Sequence, residues 1–89
     1  MVKVLFTQNI QRHIECPPDD VSGKTVGDVL SAVFSANPAA RGYILDEQGA
    51  VRRHIVIFVD NRVIRDRKTL SDAVEPDSEV HVFQALSGG

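Results

Sequence analysis

The sequence holds few of the residues that build disulfides, metal cages or membrane spans. Its 89 residues include one cysteine, Cys16, and no tryptophan. One cysteine can neither close an internal disulfide nor supply a metal cage made of cysteines. No apolar run approaches the roughly 18 residues that a membrane-spanning helix requires, and no signal peptide is visible at the N-terminus. We therefore expect a reduced, cytoplasmic protein.

Net charge and histidine content are also small. The net charge of −2 has the wrong sign for a nucleic-acid binder. The three histidines, His13, His54 and His81, lie in separate segments, and no two of them have the spacing of metal ligands. We therefore expect neither a nucleic-acid partner nor a bound metal ion.

Motifs for enzymatic chemistry are missing as well. No serine has an evident histidine and acidic partner, so the sequence gives no support for a hydrolytic triad. The Gly-Lys-Thr segment at residues 23–25 lacks the upstream glycine of a phosphate-binding loop. We therefore expect no hydrolytic triad and no nucleotide site or other bound cofactor in this chain.

The composition is that of one globular domain. Apolar residues make up 43% of the chain, and a chain of this length forms a single core. The final Ser87-Gly88-Gly89 segment has neither side-chain bulk nor periodicity. We therefore assign residues 1–86 to the domain and residues 87–89 to a flexible C-terminal tail.

The clearest predicted element is a helix that begins after Thr25. Thr25 is a suitable N-cap, and Asp28 three residues later completes a pattern similar to a capping box. Asn37-Pro38 ends the helix, because the residue before a proline disfavours helical angles. One apolar stripe with helical spacing runs along it: Val26, Val29, Leu30, Val33 and Phe34. A further short helical turn is predicted within residues 38–45.

Short apolar segments predict the strands of a sheet. Four of them are residues 2–7, 55–59, 62–64 and 80–86. Residues 10–15 also alternate, and the Gln8-Asn9 pair before them suits a tight turn, so the first two strands are predicted to form a hairpin. Two prolines are predicted to interrupt the pattern at residues 16–20.

The order of these elements predicts an α+β fold. We expect a mixed sheet of about four to five strands with one main helix packed on one face. If Ile55 and Ile57 point toward the helix, Phe58 points away from it, and the same alternation places Phe83 on the uncovered face. An exposed apolar patch often marks a docking surface. A loop that covers the two rings, or two scattered exposed residues, remain alternatives.

A basic run stands between the predicted strands: Arg62, Arg65, Arg67 and Lys68. Two interpretations remain open for it. The run is either a patch complementary to an acidic partner or a solvated set of charges without a partner.

Several segments together, in chain order, resemble the MoaD/ThiS family of sulfur carriers. They span essentially the whole chain: residues 2–6, 23–30, 55–61, 76–80 and the terminal Ala-Leu-Ser-Gly-Gly of residues 85–89. The resemblance implies a ubiquitin-like β-grasp fold.

The resemblance also implies a reaction cycle in which this chain is the carrier and catalyses no step. An E1-like partner enzyme uses ATP to convert the carboxylate of Gly89 into an acyl-adenylate. A sulfur donor then displaces AMP and leaves a thiocarboxylate, and a biosynthetic enzyme accepts the sulfur. The receiving pathway stays open among molybdopterin, thiamine, cysteine and other sulfur-containing metabolites, and a small subunit of a molybdopterin-synthase-like complex is one form of such a carrier.

The resemblance assigns roles to individual residues. Gly89 carries the modified carboxylate. Gly88 and Ser87 let the tail thread through a narrow channel, since glycine lacks a Cβ. Partner binding is assigned to three residues: Phe58, Phe83 and Leu86.

Two other functions remain as alternatives. A ubiquitin-like protein modifier would form isopeptide bonds through the same Gly89. A β-grasp binding module would recognise its partner through the sheet and would never use its tail.

Overall fold

The computed structural model describes residues 1–12 and 14–85. The predicted tail and Leu86 therefore lie outside the described residues, as does His13. The described elements are, in chain order, β1 (Val2–Phe6), α1 (Gln8–Gln11), β2 (Asp19–Val21), α2 (Val26–Ala36), α3 (Pro38–Ile44), β3 (Ile55–Val59), β4 (Arg62–Val63) and β5 (Glu79–Gln84). In this part of the chain, no helix combines the length and the apolar character that crossing a bilayer would require.

The strands form one mixed sheet of five, in the order β2-β1-β5-β3-β4. Strand β5 is central, and it runs parallel to β1 and antiparallel to β3. The outer pairs, β1 with β2 and β3 with β4, are antiparallel. The predicted α+β fold with a mixed sheet is confirmed.

Helix α2 covers one face of the sheet. Its N-terminus is capped as predicted, because the Thr25 hydroxyl accepts a hydrogen bond from the Asp28 amide at 3.1 Å. The helix ends at Ala36 with Asn37 as its C-cap, and Pro38 is then the first residue of α3. The predicted apolar stripe is buried in full: Val26, Val29, Leu30, Val33 and Phe34.

The prediction of a strand at residues 10–15 is wrong. The amides of Ile10 and Gln11 donate to the carbonyl of Thr7, which starts the single-turn helix α1. That turn buries Ile10 completely, whereas Ile14 is only half-buried. Local hydrogen bonds and one buried anchor therefore replace the predicted strand pairing.

The second strand instead lies where prolines were predicted to interrupt the pattern. Strand β2 pairs antiparallel with β1, with Val21 opposite Val2. Pro17 and Pro18 come just before this strand and remove no ladder hydrogen bond from it. The predicted hairpin is therefore wrong: β1 pairs antiparallel with residues 19–21 instead of residues 10–15, after a longer connection.

The loop after β4 is organised by the carboxylate of Asp66. It accepts hydrogen bonds from the Lys68 and Thr69 amides at 3.0 Å and from the hydroxyl of Ser71 at 2.6 Å, and the Thr69 hydroxyl also donates to it. The hydroxyls of Ser71 and Thr69, in that order, hold the pKa of Asp66 well below its ordinary value of 3.8.

The Asp66 carboxylate in this loop makes the free energy of unfolding depend on pH. A carboxylate with a lowered folded-state pKa stabilises the fold above its unfolded pKa, and that contribution is lost as the pH falls below it. We expect the free energy of unfolding to fall once the pH drops below 3.8. Asp66→Asn should be less stable at neutral pH and should lose less stability on acidification, as measured by urea unfolding at about pH 7 and about pH 2.5.

Asp77→Asn is the matched control for this prediction. Among the described residues, the Asp77 side chain accepts no hydrogen bond and forms no ion pair. An Asp66→Asn protein with the same acid sensitivity as Asp77→Asn would contradict the role given to the Asp66 carboxylate.

Candidate docking face and tail root

The side of the sheet opposite α2 carries an apolar cluster that we call the sheet face. Its members are Leu5, Val56, Phe58, Val63, His81 and Phe83. Strand register places them side by side: His81 is paired with both Leu5 and Phe58, and Phe58 is paired with Val63. Because paired residues share a face, the cluster crosses four strands.

Two aromatic rings form the centre of the sheet face. The ring centroids of Phe58 and Phe83 are 5.1 Å apart in an edge-to-face arrangement. Phe83 is 40% exposed and Phe58 is half-buried. Together with Asn61 and His81 they line a shallow cleft of about 180 Å³. The structure places both phenylalanines on the uncovered face, as the alternation predicts, and their role in binding stays a prediction.

A row of charged residues borders this cluster. Lys3 on β1 is paired with Asp20 on one side and with Glu79 on the other. Glu79 also lies near His81, with 3.9 Å between a carboxylate oxygen and Nε2. An apolar centre with a polar edge is the usual composition of a protein–protein interface.

Sequence reasoning did not identify Leu5 and Val63 as members of the sheet face. The β1 sequence is apolar at four of five positions, so alternation alone does not show which side chains point outward. Val63 is 52% exposed, and it lies in a strand of two residues that is too short for a periodic signal. Strand pairing is needed to find both.

The end of β5 forms a second feature, the tail root, which we define as Gln84 and Ala85. Strand β1 pairs with β5 only as far as Val82, so Gln84 pairs with β3 alone. The Ala85 amide donates to the carbonyl of His54 at 2.8 Å. The last described residue before Leu86 is therefore held against the start of β3.

A side-chain contact from α3 also holds the tail root. The Tyr43 hydroxyl donates to Oε1 of Gln84 at 2.6 Å, across 41 positions of sequence. The rings of Tyr43 and His54 are perpendicular, with centroids 5.9 Å apart. The sequence analysis assigned no role of this kind to Tyr43, because no local pattern reports a contact between such distant positions.

The cysteine lies in the core. Cys16 is 1% exposed, and burial raises the pKa of its thiol, although the Asn37 amide 3.7 Å from the sulfur lowers it somewhat. A buried thiol with a raised pKa is a poor nucleophile. Over residues 1–12 and 14–85, no three histidine, cysteine or acidic side chains gather in an arrangement that could hold a metal ion.

The remaining predicted site residues are Leu86, Ser87, Gly88 and Gly89. They lie outside the described residues, so their roles stay predictions.

Comparison with known proteins identifies the family of this chain. A model of the ThiS family matches residues 7–89. A search of curated proteins finds no match. The resemblance to this family of carriers is thus confirmed by the family match.

Solved structures of similar fold cover nearly the whole chain. A chain of the Amycolatopsis orientalis BexX/CysO complex is 20% identical with a TM-score of 0.84, covering 100% of both chains. Mycobacterium tuberculosis CysO is 21% identical with a TM-score of 0.81, covering 97% of this chain and 100% of the other. Small archaeal modifier protein 1 from Methanosarcina acetivorans is 24% identical with a TM-score of 0.80, covering 99% and 95%. The predicted ubiquitin-like β-grasp fold is confirmed.

The contact between Tyr43 and Gln84 should control the order of the tail root. Tyr43→Phe removes only the hydroxyl, and one such hydrogen bond contributes about 0.5–1.5 kcal/mol. We expect hydrogen exchange at the Ala85 amide, measured by NMR, to accelerate about threefold to tenfold. The Ile57 amide in the buried part of β3 is the internal control, and equal acceleration at both amides would indicate global destabilisation instead.

Proposed function

We propose, from the premise that this chain belongs to the ThiS family, that it is a sulfur carrier whose working group is the C-terminal carboxylate of Gly89. One observation carries the proposal: the family match extends through residue 89 and therefore includes the Gly88-Gly89 tail. The family and the neighbouring structures support a ubiquitin-like sulfur carrier or modifier.

The proposed reaction at the tail has two steps, adenylation of the carboxylate and replacement of AMP by sulfide. An ionised oxygen of the Gly89 carboxylate attacks the α-phosphorus of ATP, and pyrophosphate leaves. The product is a mixed anhydride in which AMP is a good leaving group. A sulfide equivalent, HS⁻, then attacks the acyl carbon, AMP leaves, and a proton is released. The thiocarboxylate that remains is a sulfur nucleophile for the accepting enzyme.

In this proposal the chain itself catalyses none of these steps. Adenylation needs an enzyme that binds ATP and stabilises charge at the α-phosphate. We assign that work to an E1-like partner, and the later steps to a sulfur donor and an accepting biosynthetic enzyme. What this chain contributes is a substrate group on a narrow tail, carried by a domain that a partner can recognise.

The sheet face supports the proposal that partner enzymes recognise this chain. Phe58 and Phe83 offer an aromatic pair of the kind that supplies much of the binding energy in protein interfaces. Phe83 lies on β5, and the tail root directly follows it along the chain. A partner that grips the sheet face would therefore also set the starting position of the tail.

One observation favours a second function. The small archaeal modifier protein 1 from Methanosarcina acetivorans is named as a modifier, and its fold is similar to this one. A modifier would use the same adenylated Gly89 but would transfer it to a lysine amine. Conjugates of higher mass that depend on Gly89 would favour this function over sulfur transfer.

The first test is the mass of the C-terminal peptide. Incubated with ATP, sulfide and each E1-like adenylating enzyme of its source organism in turn, the protein should gain the difference between one sulfur and one oxygen atom at Gly89. Gly88→Val should fold normally but gain no mass, because the added side chain obstructs a narrow channel. Fragmentation mass spectrometry locates the change, and unchanged mass with every enzyme would contradict the proposal.

The native protein gives a complementary result. A thiocarboxylate at Gly89 in protein purified from its own cells would establish the carrier state directly. If partner binding and biological activity survive deletion of Gly88 and Gly89, the protein is instead a binding module that does not use its tail.

The sheet face should determine recognition by the partner. With the enzyme that modifies Gly89, we expect Phe83→Ala to raise KM about tenfold or more with little change in kcat, because the lost contact binds the partner and takes no part in the reaction of the carboxylate. Pyrophosphate exchange kinetics measure both constants. The control is Lys24→Ala, because Lys24 lies beside Met1 and Pro76 and is not part of the sheet face. Equal KM values for the two variants would contradict a role of the sheet face in partner recognition.

A further inference from the structure

Part of the surface carries an excess of positive charge. Residues 41–53 and 65–68 together hold six arginines and lysines against three acidic residues, whereas the rest of the chain holds four against nine. Five of the six cations form what we call the basic surface: Arg41, Arg52, Arg53, Arg67 and Lys68. The chain as a whole has a net charge of −2, so positive charge is concentrated in these two segments.

Hydrogen bonds join the two segments into one surface. Nε of Arg52 donates to the carbonyl of Gly42 at 2.9 Å, and Nη2 of Arg67 donates to the carbonyl of Arg52 at 2.7 Å. The Val51 amide donates to the carbonyl of Arg67 at 2.8 Å. Both guanidinium groups are therefore held in place, and a ligand that binds them loses less side-chain entropy than it would with free arginines.

The charges of the basic surface are not neutralised within the domain. Among residues 1–12 and 14–85, no arginine or lysine has a carboxylate oxygen within 4.0 Å. Two of the three acidic side chains in these segments serve their own loops: Asp46 accepts from the Gln48 and Ala50 amides, and Asp66 accepts from the Lys68 amide and its neighbours. Glu47 is the third, and it leaves the balance positive.

The basic surface adjoins the tail root. Arg53 directly precedes His54, whose carbonyl binds the Ala85 amide. Gly42, which accepts from Arg52, directly precedes Tyr43, whose hydroxyl binds Gln84. Cations that pair with no described carboxylate therefore lie next in the chain to the residues that contact the tail root or to their immediate neighbours.

We infer that the basic surface binds an acidic rim on the E1-like partner, around the opening through which that partner receives the tail. The inference rests on the proposed function, because it needs a partner that takes the tail. Opposite charges on two approaching surfaces accelerate association and fix its orientation. An arginine fork can also bind a carboxylate through two parallel hydrogen bonds.

The charge distribution favours a local acidic patch over a nucleic acid. A nucleic-acid backbone carries charge along its whole length, and it would pass from the basic surface onto a remainder of the chain that has five more acidic than basic residues. An acidic rim limited to the neighbourhood of the tail root meets only the cations. The same geometry aligns the tail with the opening.

Charge reversal tests the inference in the adenylation reaction. Arg53 and Lys68 are exposed, and their side chains hold no other part of the described structure. With the enzyme that modifies Gly89, Arg53→Glu and Lys68→Glu should each lower kcat/KM about tenfold at low salt, mainly through KM, and the deficit should shrink toward about 0.15 M salt. Lys24→Glu makes the same change in net charge near Met1 and Val2, where β1 begins, whereas the tail root follows the end of β5.

The outcomes separate this inference from the proposed function. If the enzyme modifies the parent protein, but Arg53→Glu and Lys68→Glu behave like Lys24→Glu, the inference is overturned and the carrier function stands. A second measurement needs no enzyme. Titration of the labelled protein with an oligoglutamate peptide should shift the NMR signals of the basic surface, and Arg53→Glu should reduce the shifts. No shift, or equal shifts in Arg53→Glu and Lys24→Glu, would overturn the inference even if no enzyme modified Gly89.

Discussion

Burial of one side of the central strand is the constraint on which the rest of this structure depends. Val80 and Val82 on β5 are fully buried in the core. Because side chains alternate along a strand, His81 and Phe83 must then point to the opposite side. A slip of one residue in register would exchange the two sets, which the large cost of exposing the valines prevents. The apolar character of the sheet face is thus maintained by the core behind it.

In the proposed function, β5 carries part of the surface that the partner binds and also leads into the tail that reacts. β5 pairs with β1 on one side and β3 on the other, and both neighbours contribute to the sheet face. Its last residue, Gln84, is held by Tyr43, and Ala85 is held by His54. A partner that binds the sheet face therefore meets a tail with a defined origin, which reduces the conformational freedom that must be lost before the reaction. In the proposed function, the chain itself needs only a stable scaffold, a recognisable surface and a reactive terminus.

Residues of two kinds of surface lie close in the chain to the residues of the tail root or to those that hold it. The sheet face offers aromatic contact area, which contributes binding energy when water is excluded. The basic surface offers fixed charge, which contributes mainly to the rate and orientation of encounter. In the basic surface, the guanidinium groups of Arg52 and Arg67 each donate one hydrogen bond to a backbone carbonyl, which holds the cation in place. Separate surfaces of this kind allow affinity and specificity to be tuned by different substitutions.

The sequence by itself determined the elements whose signals are local. Thr25, Asn37 and Pro38 specify where α2 begins and ends, because capping and proline geometry act over a few residues. Alternation in residues 55–59 and 80–83 likewise assigned Phe58 and Phe83 to the uncovered face. Residues 10–15 were misassigned because a short apolar alternation suits either a strand or a turn of helix, and only packing of Ile10 decides between them. Tertiary structure alone decided that Tyr43 holds Gln84, that Leu5 and Val63 join the sheet face, and that Arg67 is bound to Arg52. Each of these depends on contacts between positions far apart in the chain.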